Sequence, residues 1–216
     1  NKLLIETISN QFKKNNLKIL NLYCTSYVKS IFYKKKFDNK DHITLVDIGF
    51  ERTSSLVFRD SKLVSFKSIP LGNNNITKDI SKVLNLDLGY SEDLKIQFNK
   101  NENENPFNKA KINSLNPFSE ILEKKISIDL LKKIIGARVD EIIELVVFQS
   151  DYIKNMDNIV KPKLVIIGRG SKLLSNSYNL SIKNLFSELS NYDESDSNVC
   201  KAGLDYHLSV DSSLSK

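Results

Sequence analysis

The apolar run Ile43-Thr44-Leu45-Val46 ends at Asp47-Ile48-Gly49, and this acid–glycine pair is the part of the chain best suited to chemistry. Backbone N–H groups beside a glycine can approach an anion closely, since no side chain intervenes. A carboxylate there can hold a hydrated divalent cation. The same acid can equally do no more than cap a turn. The residues that follow, Phe50 and Glu51, make a poor anion cradle. A Glu51 carboxylate at about 5 Å from a phosphate, in an effective dielectric near about 20, costs about 3 kcal/mol. That is about a hundredfold in affinity, and Arg52 offsets it only if its side chain turns inward.

The other reactive residue types form no recognisable set. Cys24 and Cys200 are far apart and read as two buried thiols rather than a disulfide. His42 and His207 lack metal-ligand spacing, and no serine–histidine–acid set can be assembled. The formal net charge of +6 raises the question of nucleic acid. Only Arg52, Arg59, Arg138 and Arg169 are arginines, however, and the lysine-, asparagine- and isoleucine-rich usage fits an AT-rich genome better than a binding groove. No nucleic-acid partner is therefore expected. Lys34-Lys35-Lys36 reads as a solvated helix end. No apolar stretch is long enough for a membrane span, and no secretory signal is visible. The chain does not begin with Met, which suggests a piece of a longer protein.

Periodicity places these residues on elements. The runs Ile43 to Ile48, Ser55 to Phe58 and Leu63 to Phe66, with turns between them, predict a three-strand antiparallel meander from about Ile43 to Ile69. Pro70-Leu71-Gly72 closes it. Before it, Leu4, Ile5, Ile8 and Phe12 predict a helix over Lys2 to Lys14. A strand over Leu17 to Leu22 and a helix from about Thr25 to Lys35 follow. After it, Ile76, Ile80, Val83 and Leu84 make the core face of a helix capped by Asn75 or Thr77. Ser91 caps a second helix, running to about Phe98. Asn99 to Asn108 reads as a mobile polar loop, and Ile112 to Phe118 as a short irregular piece. Ile128, Leu131, Ile135, Val139, Ile142 and Val146 predict one long amphipathic helix. Leu164 to Ile167, after Pro162, reads as a buried strand ending in the turn Gly168-Arg169-Gly170-Ser171. Ser181 to Leu189 reads as a helix, Asn191 to Asn198 as an acidic loop, and Val199 to Leu208 as a last helix before a frayed tail. The class is mixed α/β, with no internal repeat.

The order of these pieces resembles the second half of the FtsA family of bacterial cell-division proteins, members of the actin superfamily. Leu45-Val46-Asp47-Ile48-Gly49 through Phe58 is similar to that family's second phosphate hairpin, Asp-Ile-Gly-Gly-Gly-Thr-Thr. Ser68-Ile69-Pro70-Leu71-Gly72 with Ile76-Thr77-Lys78-Asp79-Ile80 resembles its Ile-Pro-x-Gly-Gly-x-x-x-Thr-x-Asp-Ile stretch. Ser91-Glu92-Asp93-Leu94-Lys95 looks like its Ala-Glu-x-x-Lys helix. Ile134 to Leu145, with Arg138, Glu141 and Glu144, resembles its Arg-x-x-Glu-Ile-x-Glu helix. Leu164 to Gly168 looks like its adenosine motif, and Ala202-Gly203-Leu204 like its closing helix.

The resemblance implies an actin-like (ribonuclease H-like) fold, with a mixed sheet holding the meander and flanking helices, and only subdomains IIA and IIB. Residues 1–88 would begin IIA, 89–160 form a IIB-like helical part with a mobile loop near 99–110, 161–208 return to IIA, and 209–216 fray. It assigns Asp47 a water-mediated Mg²⁺, Gly49 close phosphate approach and Thr53 a hydroxyl contact. Gly72 and Gly168 would border the nucleotide, Glu92 and Lys95 lie near ribose and base, and Arg169, replacing a glycine, would clash with or stack on the base. Phe50 and Glu51 stand where the family has glycines, so ATP/Mg binding is expected to be weak or lost, without robust enzymatic activity. Glu92 with Lys95, and Arg138 with Glu141, can equally be surface ion pairs, and Gly168 a plain strand end.

The implied function is an adaptor at the cytoplasmic face of the cell membrane at the division site. It would link FtsZ to the membrane through segments outside this chain, recruit other division proteins and self-associate in the full-length protein. The acidic FtsZ tail would meet Lys132, Lys133 and Arg138, with Lys124 and Lys125 near them. Rival readings are a PilM-like type IV pilus scaffold or another actin-superfamily ATPase.

Overall fold

The computed structural model describes residues 2–38, 41–100, 128–148, 161–170, 186–192 and 196–214. The meander forms as expected. Strands β1 (Ile43–Ile48), β2 (Thr53–Arg59) and β3 (Lys62–Ile69) pair antiparallel, and β1 pairs parallel with β4 (Lys163–Ile167). A fifth strand, β5 (Glu188–Asn191), adds parallel to β4 and completes a mixed sheet in the order β3-β2-β1-β4-β5. β1 is buried along its whole length, as a central strand with both faces covered must be.

Alternation along β1 sorts its side chains between two cores. On one face Val46 and Ile48 join Leu164 and Ile166 of β4. Three helices cover them: α3 (Asn73–Leu84), α4 (Leu88–Lys100) and α5 (Ile128–Ile143). Ile76, Ile80, Leu94, Ile135 and Val139 fill this layer. On the other face Ile43, Leu45, Leu56, Phe58, Val165 and Ile167 pack with Tyr33 of α2 (Thr25–Lys34). α2 is backed in turn by α6 (Asp196–Leu214). Helices from the expected 89–160 part thus share a core with β1, and its remaining residues 101–127 and 149–160 lie outside the described residues.

Several local expectations change. Residues 188–191 are strand, where a helix to Leu189 and a loop from Asn191 were expected, because their backbone forms a ladder with β4, and tertiary pairing overrides local pattern. Leu17 to Leu22 alternates as a strand should but pairs with no strand among the described residues. It runs on to Tyr23, whose ring meets Tyr206 of α6 edge-on at 5.1 Å. Asp87, not Ser91, caps α4: its Oδ1 accepts the Gly89 N–H at 2.7 Å, while Ser91 lies inside the first turns and donates to Asp87 O. Gly72 is the cap position of α3, and Asn75 reaches back to accept the Gly72 N–H. α5 widens into a π turn at Glu144–Phe148, where Lys67 Nζ donates to Leu145 O at 2.8 Å. α6 runs through most of the expected tail. Cys24 and Cys200 are unpaired as expected but exposed, one just ahead of α2 and one within α6. Lys36 is not simply solvated, since its ammonium lies 4.1 Å from the centre of the Tyr192 ring. The expected pieces over 101–127, the helix start at 181–185 and the last residues lie outside the described residues. α1 (Lys2–Lys14) forms as expected but buries none of its residues.

Candidate functional site

The turn between β1 and β2 is a tight hairpin. The Gly49 N–H donates to Arg52 O at 2.9 Å, leaving Phe50, Glu51 and Arg52 at an exposed tip. The tip leans on the start of α3, where Asn73 N–H donates to Gly49 O and Asn74 N–H to Phe50 O. Gly72 is the residue that permits this approach. A Cβ there would come within 2.5 Å of Phe50 O and 2.6 Å of Arg52 N. The N-terminal turn of a helix favours negative charge, and here hairpin carbonyls and the Glu51 carboxylate take that place. Asn74 Nδ2 donates to Glu51 Oε1.

Asp47 lies one residue before the turn, 6% exposed. Lys29 Nζ donates to its Oδ1 at 2.7 Å and Ser26 Oγ to its Oδ2 at 2.7 Å. Ser26 and Lys29 stand three residues apart in the first turns of α2, so one helix face brings both to the carboxylate. On the opposite side, β4 pairs Ile167 with Asp47, and Gly168 follows with φ +89°. A Cβ on Gly168 would lie 2.7 Å from Asp47 Oδ1 and 2.5 Å from Ile48 O. Asp47 and the end of β4 therefore meet, as the motif order suggested. Arg169 sits exposed just beyond.

Thr53 does not join them. It pairs with Ile48, so alternation turns it to the other face of the sheet. There its hydroxyl is fully buried and finds no hydrogen-bond partner among the described residues. Glu92 and Lys95 form an ion pair, but a buried one rather than a surface pair. Lys95 is 1% exposed, and its ammonium donates to Glu92 Oε2 and Thr77 Oγ1, each at 2.6 Å, and to Asn73 O at 3.2 Å. The cluster pins α4 to the start of α3, next to the hairpin. Burial lowers the Lys95 pKa, against an opposing pull from Glu92. Arg138 holds Asp79 of α3 with Nε and Nη2 and Glu141 with Nη1. These pairs hold its pKa above the usual arginine value, through Asp79 first. Lys132 and Lys133 are exposed on α5. Sequence reasoning missed Ser26 and Lys29 as partners of Asp47. Their spacing of three gives both residues one target without naming it.

A five-stranded sheet of this order, helices on both faces and an acid–glycine hairpin against the end of a parallel strand define an actin-fold protein. Solved structures agree in fold. MreB5 of Spiroplasma citri bound to AMPPNP aligns with a TM-score of 0.66 at 15% identity, over 100% of this chain and 67% of its own. The PilM–PilN type IV pilus biogenesis complex aligns with a TM-score of 0.52 at 16% identity, over 87% of this chain and 47% of its own. Within that fold the chain belongs to the FtsA family: the model for cell division protein FtsA matches residues 44–187. FtsA of Bacillus subtilis (strain 168) is 32% identical over 108 residues, 48% of this chain and 23% of its own length. FtsA of Buchnera aphidicola subsp. Baizongia pistaciae (strain Bp) is 26% identical over 142 residues, 65% of this chain and 33% of its own length. FtsA of Helicobacter pylori (strain ATCC 700392 / 26695) is 26% identical over 94 residues, covering 44% and 19%. The matched stretch is thus between about a fifth and a third of these relatives' length.

The residues around Asp47 do not fit the divalent ion that the fold implies. Both carboxylate oxygens already accept hydrogen bonds, one from a cation, and a methyl group has no room on the Gly168 side. Around the hairpin, the Gly49 N–H is spent within the turn, and the Asn73 and Asn74 N–H groups of α3 are spent on the turn's carbonyls.

Proposed function

We propose that this chain is part of an FtsA-type division adaptor that binds the acidic C-terminal tail of FtsZ and contributes scaffold rather than catalysis. Together with segments outside this chain, it would tie FtsZ to the cytoplasmic face of the membrane at the division site, recruit other division proteins and self-associate. ATP would bind weakly or not at all, and hydrolysis would be absent or slow. The observation that carries this reading is the closed hairpin of an FtsA-family fold, whose acid is bonded to Lys29 rather than open to a ligand. The basic face of α5 is the proposed seat of the tail. Arg138 is engaged by Asp79 and Glu141, so a peptide carboxylate would meet the exposed Lys132 and Lys133 first and reach Arg138 only by displacing its partners.

The test is fluorescence anisotropy with a labelled FtsZ tail peptide at low salt, comparing the wild-type protein with Lys132→Glu/Lys133→Glu. Reversing two exposed charges should weaken binding at least about tenfold, and added salt should weaken the wild type in parallel. Equal affinity for both proteins would rule this surface out.

A further inference from the structure

We propose that Lys29 is the resident cation of the hairpin. Its ammonium takes the Asp47 carboxylate that a hydrated divalent ion would otherwise hold, so the turn is neutralised without metal. The two side chains are 8% and 7% exposed, with Nζ 2.7 Å from Oδ1. Ser26 engages the second oxygen from the same face of α2, and Gly168 closes the side towards β4. The carboxylate also lies at the first turn of α2, where the helix dipole adds positive potential. An ammonium and a metal ion compete for the same oxygen lone pairs. The metal exchanges with solvent, whereas Lys29 is dehydrated once, on folding, and departs only if α2 moves. Charge matching at the turn is therefore covalently built in and independent of metal concentration.

The consequence is specific. Asp47 holds no divalent cation in the wild-type protein, and removing Lys29 uncovers a site for one. Nucleotide association, where it occurs, does not run through a metal at Asp47. The inference deepens the closed-hairpin part of the proposed function and is independent of where the FtsZ tail binds.

The probe is Mn²⁺, with free ion read by electron paramagnetic resonance, on wild type, Asp47→Asn, Lys29→Ala and Lys29→Ala/Asp47→Asn. Wild type and Asp47→Asn should bind Mn²⁺ identically, and Lys29→Ala should gain one site, at least about tenfold tighter than background, that the double variant lacks. Wild-type Mn²⁺ binding that Asp47→Asn abolishes would overturn the proposal, as would a folded Lys29→Ala that gains no site. If Lys29→Ala does not fold, Lys29→Gln serves instead, and Mn²⁺ should raise its melting temperature in an Asp47-dependent way. A melting temperature indifferent to Mn²⁺ would again reject the idea. Peptide binding measured on the same samples separates the two readings: loss of tail binding with the Mn²⁺ result intact removes only the adaptor's FtsZ site.

Discussion

Two ammonium groups are buried beside the hairpin, and they are held differently. Lys29 faces a carboxylate as dry as itself, 7% exposed, carried by a central strand. Lys95 is drier still at 1%, but its partner Glu92 keeps 34% of its side chain in water, and the remaining bonds go to a hydroxyl and a backbone carbonyl. In the first pair neither charge reaches water while the apolar stem of Lys29 stays in place. In the second the carboxylate does. A buried ion pair is weak evidence of net stability, but breaking one from a single side is costly when the survivor stays dry. The first pair should therefore behave as a lock between α2 and β1, and the second as a polar patch joining α3 and α4.

The sharpest way to break that contrast is Lys29→Met, which keeps the apolar stem and removes the charge. It should cost about 3–5 kcal/mol in urea unfolding, because Asp47 is left uncompensated. Adding Asp47→Asn should recover most of that loss. A single-variant cost below about 1 kcal/mol would mean that water reaches Asp47, and the lock would lose its basis. Next in size is Gly168→Ala, which forces a Cβ towards Asp47 and Ile48 O from a φ of +89° and should cost about 2–3 kcal/mol. Gly203→Ala is the control. A Cβ there meets nothing within 4 Å on α6, so alanine should stabilise by about 0.5–1 kcal/mol. Equal effects at the two glycines, measured by thermal unfolding, would show that the wall behind Asp47 yields.

The contrast also marks what could be read from the sequence. Glu92 and Lys95 lie one helical turn apart, so their pairing was open to local reasoning, though its burial was not: that depends on α4 lying over Thr77 and Asn73. The meander, the long helix at 128–146 and the strand before Gly168 were legible because each repeats at its own period over enough residues. Their assembly followed from the ordered resemblance rather than from any single motif. Lys29 was not legible as a partner of Asp47, since 18 residues separate them and the register of α2 on the sheet is a tertiary fact. Thr53 was misplaced for a related reason. Motif spacing puts it in the turn, but pairing with Ile48 turns its side chain away from Asp47. The strand at 188–191 was missed because it is short and, among the described residues, pairs with β4 alone.

Of the two ion pairs, the second should show the smaller effect. Lys95→Met should cost about 1–2 kcal/mol, the net loss of hydrogen bonds to Glu92, Thr77 and Asn73 O, with Glu92 free to rehydrate. Its pH dependence distinguishes it from an ordinary packing loss. Burial lowers the folded-state pKa of Lys95, while the unfolded lysine keeps its usual value near 10.5. Between the two values the unfolded chain binds more protons, so the contribution of Lys95 to stability rises with pH across that window. Below the folded pKa the cost of burying the charge is fully present. The difference in unfolding free energy between wild type and Lys95→Met should therefore be flat below the folded-state pKa of Lys95 and grow between that value and the usual 10.5. A flat difference throughout would place the Lys95 ammonium in contact with water, and the two pairs would then differ in strength but not in kind.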